Sequence, residues 1–264
     1  GSGTETIRKR YGNGMERYGN GTEAVRNGTE AGYATLKFSP DGGHLATVGS
    51  YPDFMITVWQ WQKEHVVLRS KAFSQEIFDV SFSPYLSGIL TTCGTGHIRF
   101  WKMATTFTGL KLQGEIGKFG KVEISDIAGF IEFPDGKVLS GTETGDMLIW
   151  TSGQIKCTVF RKGKKPCHDG MIETIRLTKD ENIIVTSGMD GFVRYWDFSE
   201  LDAAETEEGC DFIEVEPIKE VSIQGSQIKH IVYAEDHWLV QDQGGSLLKY
   251  SLQDRSTTKL LEFH

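Results

Sequence analysis

The sequence predicts an all-β protein built from repeated four-stranded units, and three observations carry this. Five segments of one layout return along the chain, closing on Trp59, Trp101, Trp150, Trp196 and Tyr250 at intervals of 42, 49, 46 and 54 residues. Within each segment, apolar and polar residues alternate in short runs bounded by Gly, Asp and Pro, the pattern of strands and hairpins. The composition, with 31 Gly, 15 Phe, 8 Tyr and 6 Trp against only 6 Pro, suits glycine turns between aromatic strands better than helices.

The units follow in order. The first is YATLKFSPDGGHLATVGSYPDFMITVWQW (33–61), with a further extended run HVVLRS (65–70). The second is IFDVSFSPYLSGILTTCGTGHIRFWKM (77–103), followed by GLKLQG (109–114). The third is ISDIAGFIEFPDGKVLSGTETGDMLIWT (124–151), followed by IKCTVF (155–160). The fourth is MIETIRLTKDENIIVTSGMDGFVRYWDF (171–198), whose last run, IKEVSI, comes only at 218–223. The fifth and most degenerate is IKHIVYAEDHWLVQDQGGSLLKYSL (228–252), with TTKLLEF (257–263). Each unit therefore supplies four strands, giving repeats of about 33–70, 77–114, 124–160, 171–223 and 228–264.

Four-stranded units at this period are the blades of a β-propeller, which stack because one blade cannot bury both of its faces. The pattern Phe-Ser-Pro-Asp-Gly followed by Ser-Gly-x-Asp-Gly-x-Val-x-x-Trp-Asp resembles the WD-repeat family over nearly the whole of 33–264. The resemblance implies a buried hydrogen-bonded tetrad in the fourth repeat, formed by His168, a hydroxyl from Ser187 or its neighbour Thr186, Asp190 and Trp196. Ser187 is the hydroxyl taken here. Trp59, Trp101, Trp150 and Tyr250 are the corresponding blade-core aromatics. Other repeats depart from the pattern: Thr95-Gly96 and Thr144-Gly145 replace Asp-Gly, and repeat two lacks the histidine. The final EFH (262–264) stands where the histidine of another repeat is expected, so these five blades are read as part of a larger propeller.

The net charge of −8 argues against a nucleic-acid binder, which needs a basic face to release counterions. Cys93, Cys157, Cys167 and Cys210 form no C-x-x-C pair, so neither a zinc ribbon nor a redox motif is expected, and a reducing, intracellular compartment is. No apolar run approaches the ~20 residues that span a bilayer, so no membrane partner is expected. The opening GSG is read as a tag remnant, and residues 1–32, eight of them glycine, as a linker-like segment poor in apolar surface.

Two connections exceed what a hairpin needs and are expected at the surface, where loops carry function. One is KMATTFTGLKLQGEIGKFGKVE (102–123). The other, 199–217, holds an acidic run from Glu200 to Glu216 with eight acids and no base. Its Glu205, Glu207, Glu208 and Asp211 are the candidate docking residues for a basic partner.

Catalytic readings fail on spacing. GEIGKFGK (114–121) has Glu115 where a P-loop needs its first Gly, and Val122 where it needs Ser or Thr. GNGTEA (19–24) follows no strand, and the sequons at Asn20 and Asn27 have no use without secretion. Cys167 and His168 are adjacent on an extended chain and point to opposite sides, so they are badly placed to share a proton. His44, His97 and His237 are isolated and are read as surface or turn residues. No catalytic residue, cofactor or metal ligand set is expected.

Several stretches carry a closer resemblance: VVLRSKAFSQEIF (66–78), residues 90–121, FPDGKVLSGTETGDMLIW (133–150), KGKKPCHDG (162–170) and the GFVRYWDF … IEVEPIKEV region (191–221). They are similar to the cilia- and flagella-associated WD-repeat proteins. That resemblance implies a scaffold of the motile-cilium axoneme that helps tether inner-arm dynein motor heads to the doublet microtubule. Its implied partners are inner-arm dynein, a sibling WD-repeat protein and tubulin. Composition and periodicity alone stop at a propeller that serves as an interaction platform. The rival readings are a generic cytosolic adaptor and a propeller enzyme, for which the sequence assembles no site.

Overall fold

Alternation decides which face of each blade a side chain occupies, because successive strand residues point to opposite sides of the sheet. In the computed structural model this produces five sheets of consecutive antiparallel strands. The structure describes residues 32–178, 182–206, 209–223, 225–234 and 236–262. Chain contacts separate Gly1–Glu30 from Ala31–His264, and the expectation of a linker-like N-terminus lies outside the described residues.

Blade 1 comprises β1 (Tyr33–Phe38), β2 (Leu45–Gly49), β3 (Met55–Gln60) and β4 (His65–Lys71). Blade 2 comprises β5 (Ile77–Phe82), β6 (Ile89–Gly94), β7 (His97–Thr106) and β8 (Gly109–Ile116). Blade 3 comprises β9 (Phe130–Glu132), β10 (Val138–Gly141), β11 (Met147–Thr151) and β12 (Gln154–Phe160). Blade 4 begins with β13 (Ile172–Leu177), β14 (Ile183–Gly188) and β15 (Phe192–Asp197). A single-turn helix α1 (Phe198–Asp202) and β16 (Phe212–Glu214) then intervene before its fourth strand, β17 (Lys219–Ser222). Blade 5 comprises β18 (Ile228–Ala234), β19 (His237–Asp242), β20 (Leu247–Ser251) and β21 (Thr257–Leu261).

The two long connections are more ordered than surface loops need be, and the run expected as a strand at 109–114 lies in β8. Residues 97–116 form one long hairpin, β7 pairing β8 from Thr106↔Gly109 back to Arg99↔Ile116. In the acidic segment, β16 leaves blade 4 and adds to the edge of blade 3, pairing in parallel with β12. Its Val215 N–H donates to the Phe160 carbonyl at 2.8 Å. The sheet of blade 3 therefore has five strands, in the order β16-β12-β11-β10-β9.

The core lies between blades. Ala46, Val48, Ile56 and Val58 of blade 1 meet Ile77, Val80 and Trp101 of blade 2. Cys93 and Ile98 of blade 2 meet Phe130, Leu148 and Trp150 of blade 3. Leu139, Met147 and Val159 of blade 3 meet Ile175, Ile184 and Trp196 of blade 4. Val185, Val193 and Ile223 of blade 4 meet Ile228, Ile231 and Tyr250 of blade 5. In every joint the closing aromatic belongs to the later blade and covers aliphatic residues of the earlier one. We call these the leading and trailing faces.

Candidate interaction site

Blade 4 shows how the repeat signature works as chemistry. The Trp196 indole N–H donates to the Thr186 hydroxyl at 2.9 Å, and that hydroxyl reaches His168 Nε2 at 2.7 Å. His168 Nδ1 meets the Asp190 carboxylate at 2.9 Å, and Arg194 Nη1 donates to the other Asp190 oxygen at 2.6 Å. The pattern assigns a neutral imidazole that carries its proton on Nδ1, because each donor then has one acceptor. Burial, the largest influence, lowers the basicity of His168, against the upward pull of Asp190. For Asp190, burial alone raises the carboxyl, but the hydrogen bond from His168 and the Arg194 guanidinium outweigh it and hold the acid ionised.

The hydroxyl of this relay belongs to Thr186, not Ser187. Ser187 pairs directly with Thr174 across β13–β14, hydroxyl to hydroxyl at 2.6 Å. Neighbours in a strand face opposite ways, so only one of the two can turn towards Trp196. The aspartate after Trp196 serves elsewhere, since the Asp197 side chain accepts from Glu200 N–H and caps α1.

The other blades keep a shorter version. Trp59 donates to Thr47 at 2.9 Å, Trp101 to Thr92 at 2.9 Å, and Trp150 to Ser140 at 2.8 Å. In blade 2, Phe73 stands four residues before Ile77, as His168 stands four before Ile172, and it stacks on His97 at 3.7 Å. His97 opens β7 directly after the 95–96 turn and is buried, so of its reading as a surface or turn residue the surface half is corrected. The missing Asp of that blade's turn is supplied from outside, since Asp126 accepts from Gly96 N–H at 2.9 Å. At the matching turn of blade 3, a Cβ on Gly145 would stand 1.9 Å from the His168 carbonyl oxygen, so only glycine fits. Tyr250 fills the aromatic position of blade 5 and is buried.

Of the candidate docking acids, Glu205 is exposed but ion-paired with Lys156 at 2.9 Å, and Asp211 is exposed. Glu207 and Glu208 lie outside the described residues. The acids around them are largely engaged within the molecule. Asp202 pairs with Lys137 at 2.8 Å. Glu214 accepts from Lys164 N–H at 2.9 Å, and Glu216 accepts from Lys162 N–H at 2.8 Å. The acidic run thus faces the basic run Arg161–Lys165 and holds it, while Leu201, Ala204 and Val215 sink into the core between blades 3 and 4. It is a strap with an exposed outer face.

The tip of the β7–β8 hairpin is different. Phe107 is fully exposed there, between Thr106 and Thr108. No local signal in the sequence distinguishes this phenylalanine from the core ones.

The first strands of all five blades line a central cavity of about 900 Å³. Its polar groups stitch neighbouring blades: Thr35 donates to Asp79 at 3.4 Å, Ser83 to Glu132 at 2.5 Å, and Lys229 to Glu173 at 2.8 Å. Burial raises the Asp79 carboxyl against the pull of Lys37, and it raises Glu132 likewise. Burial also pushes the Cys157 thiol up to about 11 and Cys167 higher still, so neither is a thiolate nucleophile near neutrality. Among the described residues, no group of His, Cys, Asp and Glu is arranged to hold a metal ion.

With this geometry in view, comparison with known proteins is informative. Residues 22–234 match the family described as echinoderm microtubule-associated protein first beta-propeller. The chain is 46% identical over 241 residues to cilia- and flagella-associated protein 44 of Mus musculus, covering 88% of this chain and 13% of that protein. It is 48% identical over 224 residues to the protein of the same name in Chlamydomonas reinhardtii, covering 83% of this chain and 13% of that one. Echinoderm microtubule-associated protein-like 4 of Xenopus laevis is 31% identical over 179 residues, covering 63% and 19%. Among solved structures, a chain in the crystal structure of the mitotic checkpoint complex superposes with a TM-score of 0.60 at 15% identity. That match covers 88% of this chain and 65% of the other, and it speaks for the fold alone.

Proposed function

The chain belongs to the family of the echinoderm microtubule-associated protein first β-propeller, and from that premise we propose that it is a non-catalytic scaffold of the motile-cilium axoneme. In this reading it helps hold inner-arm dynein motor heads on the doublet microtubule and so regulates ciliary and flagellar beating. One observation carries the ciliary part: identity of 46–48% over more than four fifths of the chain to relatives named as cilia- and flagella-associated. The chain spans 13% of the length of those relatives, so the partners of the whole protein belong to the proposal. The microtubule part is supported by the names of the more distant relatives.

Blade packing accounts for the interior but not for the exposed Phe107 tip or for the outward acids of the strap, Glu205 and Asp211. These are the proposed contact points. The test is a pull-down with this chain from extracts of motile cilia and, in parallel, from cytosol of unciliated cells. The expected result is recovery of inner-arm dynein, tubulin or a sibling WD-repeat protein from cilia alone. Strong capture from unciliated cytosol, with none from cilia, would replace this reading with a generic cytosolic adaptor. Phe107→Ser and the pair Glu205→Lys, Asp211→Lys are expected to weaken capture while leaving the melting temperature nearly unchanged, since all three sites are exposed. Equal loss of both properties would make them structural.

A further inference from the structure

A strand at the rim of a sheet leaves a row of backbone N–H and C=O groups free to pair with another chain. Native proteins guard such edges with bulges, short strands or covering segments. Among the described residues, four of the five blades do so. The outer pairs β3–β4 and β20–β21 each carry a bulge, at Val58/Trp59 and Leu247/Leu248. The β11–β12 pair has one at Ile149/Trp150, and the edge of β12 is covered by β16. The outer strand of blade 4, β17, is only four residues long. Blade 2 is the exception. Its outer strand β8 runs for eight residues and pairs with β7 from Thr106↔Gly109 to Arg99↔Ile116 without a register shift. No strand lies beyond it among the described residues.

Backbone groups alternate between the two sides of a strand. Gly117 N–H donates back to the Ile98 carbonyl at 2.8 Å, so the odd-numbered residues of β8 bond to β7. Leu110, Leu112, Gly114 and Ile116 therefore turn their backbone groups outward. The Gly114 carbonyl accepts from Arg99 at 3.3 Å and keeps a second lone pair. On one face of the strand Leu110 and Ile116 are 41% and 47% exposed. On the other, Lys111, Gln113 and Glu115 are exposed. The two charges are of opposite sign and stand two residues either side of Gln113. An edge carrying one sign of charge repels its own copy, whereas this one complements itself when reversed. We propose that the β8 edge is a two-fold dimer interface, in which it pairs antiparallel with β8 of a second copy about Gln113. In that register Gln113 faces Gln113, Lys111 faces Glu115, Leu112 faces Gly114 and Leu110 faces Ile116. No other register sets the two charges opposite each other. The two-fold axis stands perpendicular to the sheet, so the copies meet rim to rim and the contact closes at two. The chain shows the same device internally, where β16 extends blade 3 by pairing with its outer strand.

The test combines oxidative cross-linking with sedimentation velocity on the full chain. Every cross-linking variant also carries Cys210→Ser, because Cys210 is the one cysteine of the four that is not buried. Opposed residues in a non-hydrogen-bonded antiparallel pair have Cα atoms about 4.5 Å apart, within disulfide reach. Gln113→Cys is therefore expected to form a disulfide dimer under mild oxidation. Lys111→Cys alone is expected to form none, while Lys111→Cys mixed with Glu115→Cys cross-links. In sedimentation, Lys111→Glu is expected to weaken the dimer roughly tenfold, since two like-charge pairs replace two attractive ones. Lys111→Glu combined with Glu115→Lys is expected to restore it. A chain that stays monomeric at every concentration overturns the proposal, as does absence of the Gln113→Cys disulfide. So does a dimer that ignores the charge reversal, because the copies then meet elsewhere. Cross-linking of Lys111→Cys by itself overturns the register and the proposal with it. Circular dichroism is expected to be the same for all the β8 variants, whose altered side chains are exposed.

Discussion

Thr186 and Ser187 are neighbours with nearly the same chemistry, yet only Thr186 completes the relay from Trp196 to Asp190. Thr186→Val is expected to strand the Trp196 N–H and the His168 Nε2 in the core. At about 1–3 kcal/mol for each buried unsatisfied group, it should cost roughly 2–6 kcal/mol in urea denaturation. Ser187→Ala breaks one hydroxyl pair with Thr174 and should cost about 1 kcal/mol. Reversed costs would contradict the assignment. The relay also sets a pH dependence. Buried His168 binds a proton less readily when folded than when unfolded, where its pKa is near 6.5. Its contribution is therefore full above that value and is lost as pH falls through and below it. Thermal melts between pH 7.5 and 5 should show a falling midpoint, flattened in His168→Gln. The residue types of this network were legible in the sequence, because a repeated motif names them. The choice between two adjacent hydroxyls was not, since it depends on strand phase. Nor was the burial of His97, which needs Phe73 from a distant turn.

At the scale of elements, strands were readable where their cause is local. Alternation and a short turn place β2, β3, β10, β11, β14 and β15 within their own hairpins, the last two turns carrying Gly145 and Gly191. The strap was not readable, because β16 finds its partner β12 about 55 residues away, and composition marks only its charge. Charge suggests a loop free to meet a partner; the structure uses two of those acids, Glu214 and Glu216, to satisfy backbone N–H groups of the 161–165 turn. Leu201→Ala, which opens a cavity under α1, is expected to cost about 2–5 kcal/mol in denaturant unfolding. Glu205→Lys should leave the denaturation midpoint nearly unchanged, as expected of an exposed ion pair. A strap that merely floats would leave Leu201→Ala at wild-type stability as well.

For the whole molecule, stability is expected to grade along the chain, because each blade draws its core from its neighbours. The outer face of blade 1 lacks a covering neighbour among the described residues, so β1 amides should exchange with deuterium well before those of β13, the first strand of blade 4, which has blade 3 on one side and blade 5 on the other. Uniform protection would argue against that gradient. The sequence could not reveal this asymmetry, since Tyr33, Leu36 and Trp59 read like any other core alternation and their exposure depends on what lies beside them. The strap has a mechanical consequence as well. The chain leaves blade 4, lies along the edge of blade 3 and returns to finish blade 4 with β17. Pulling those two blades apart must shear β16 along β12 as well as part the apolar joint. Under tension the pair should behave as one stiff body, with compliance concentrated at blades 1 and 5, each of which has a joint on one side only among the described residues.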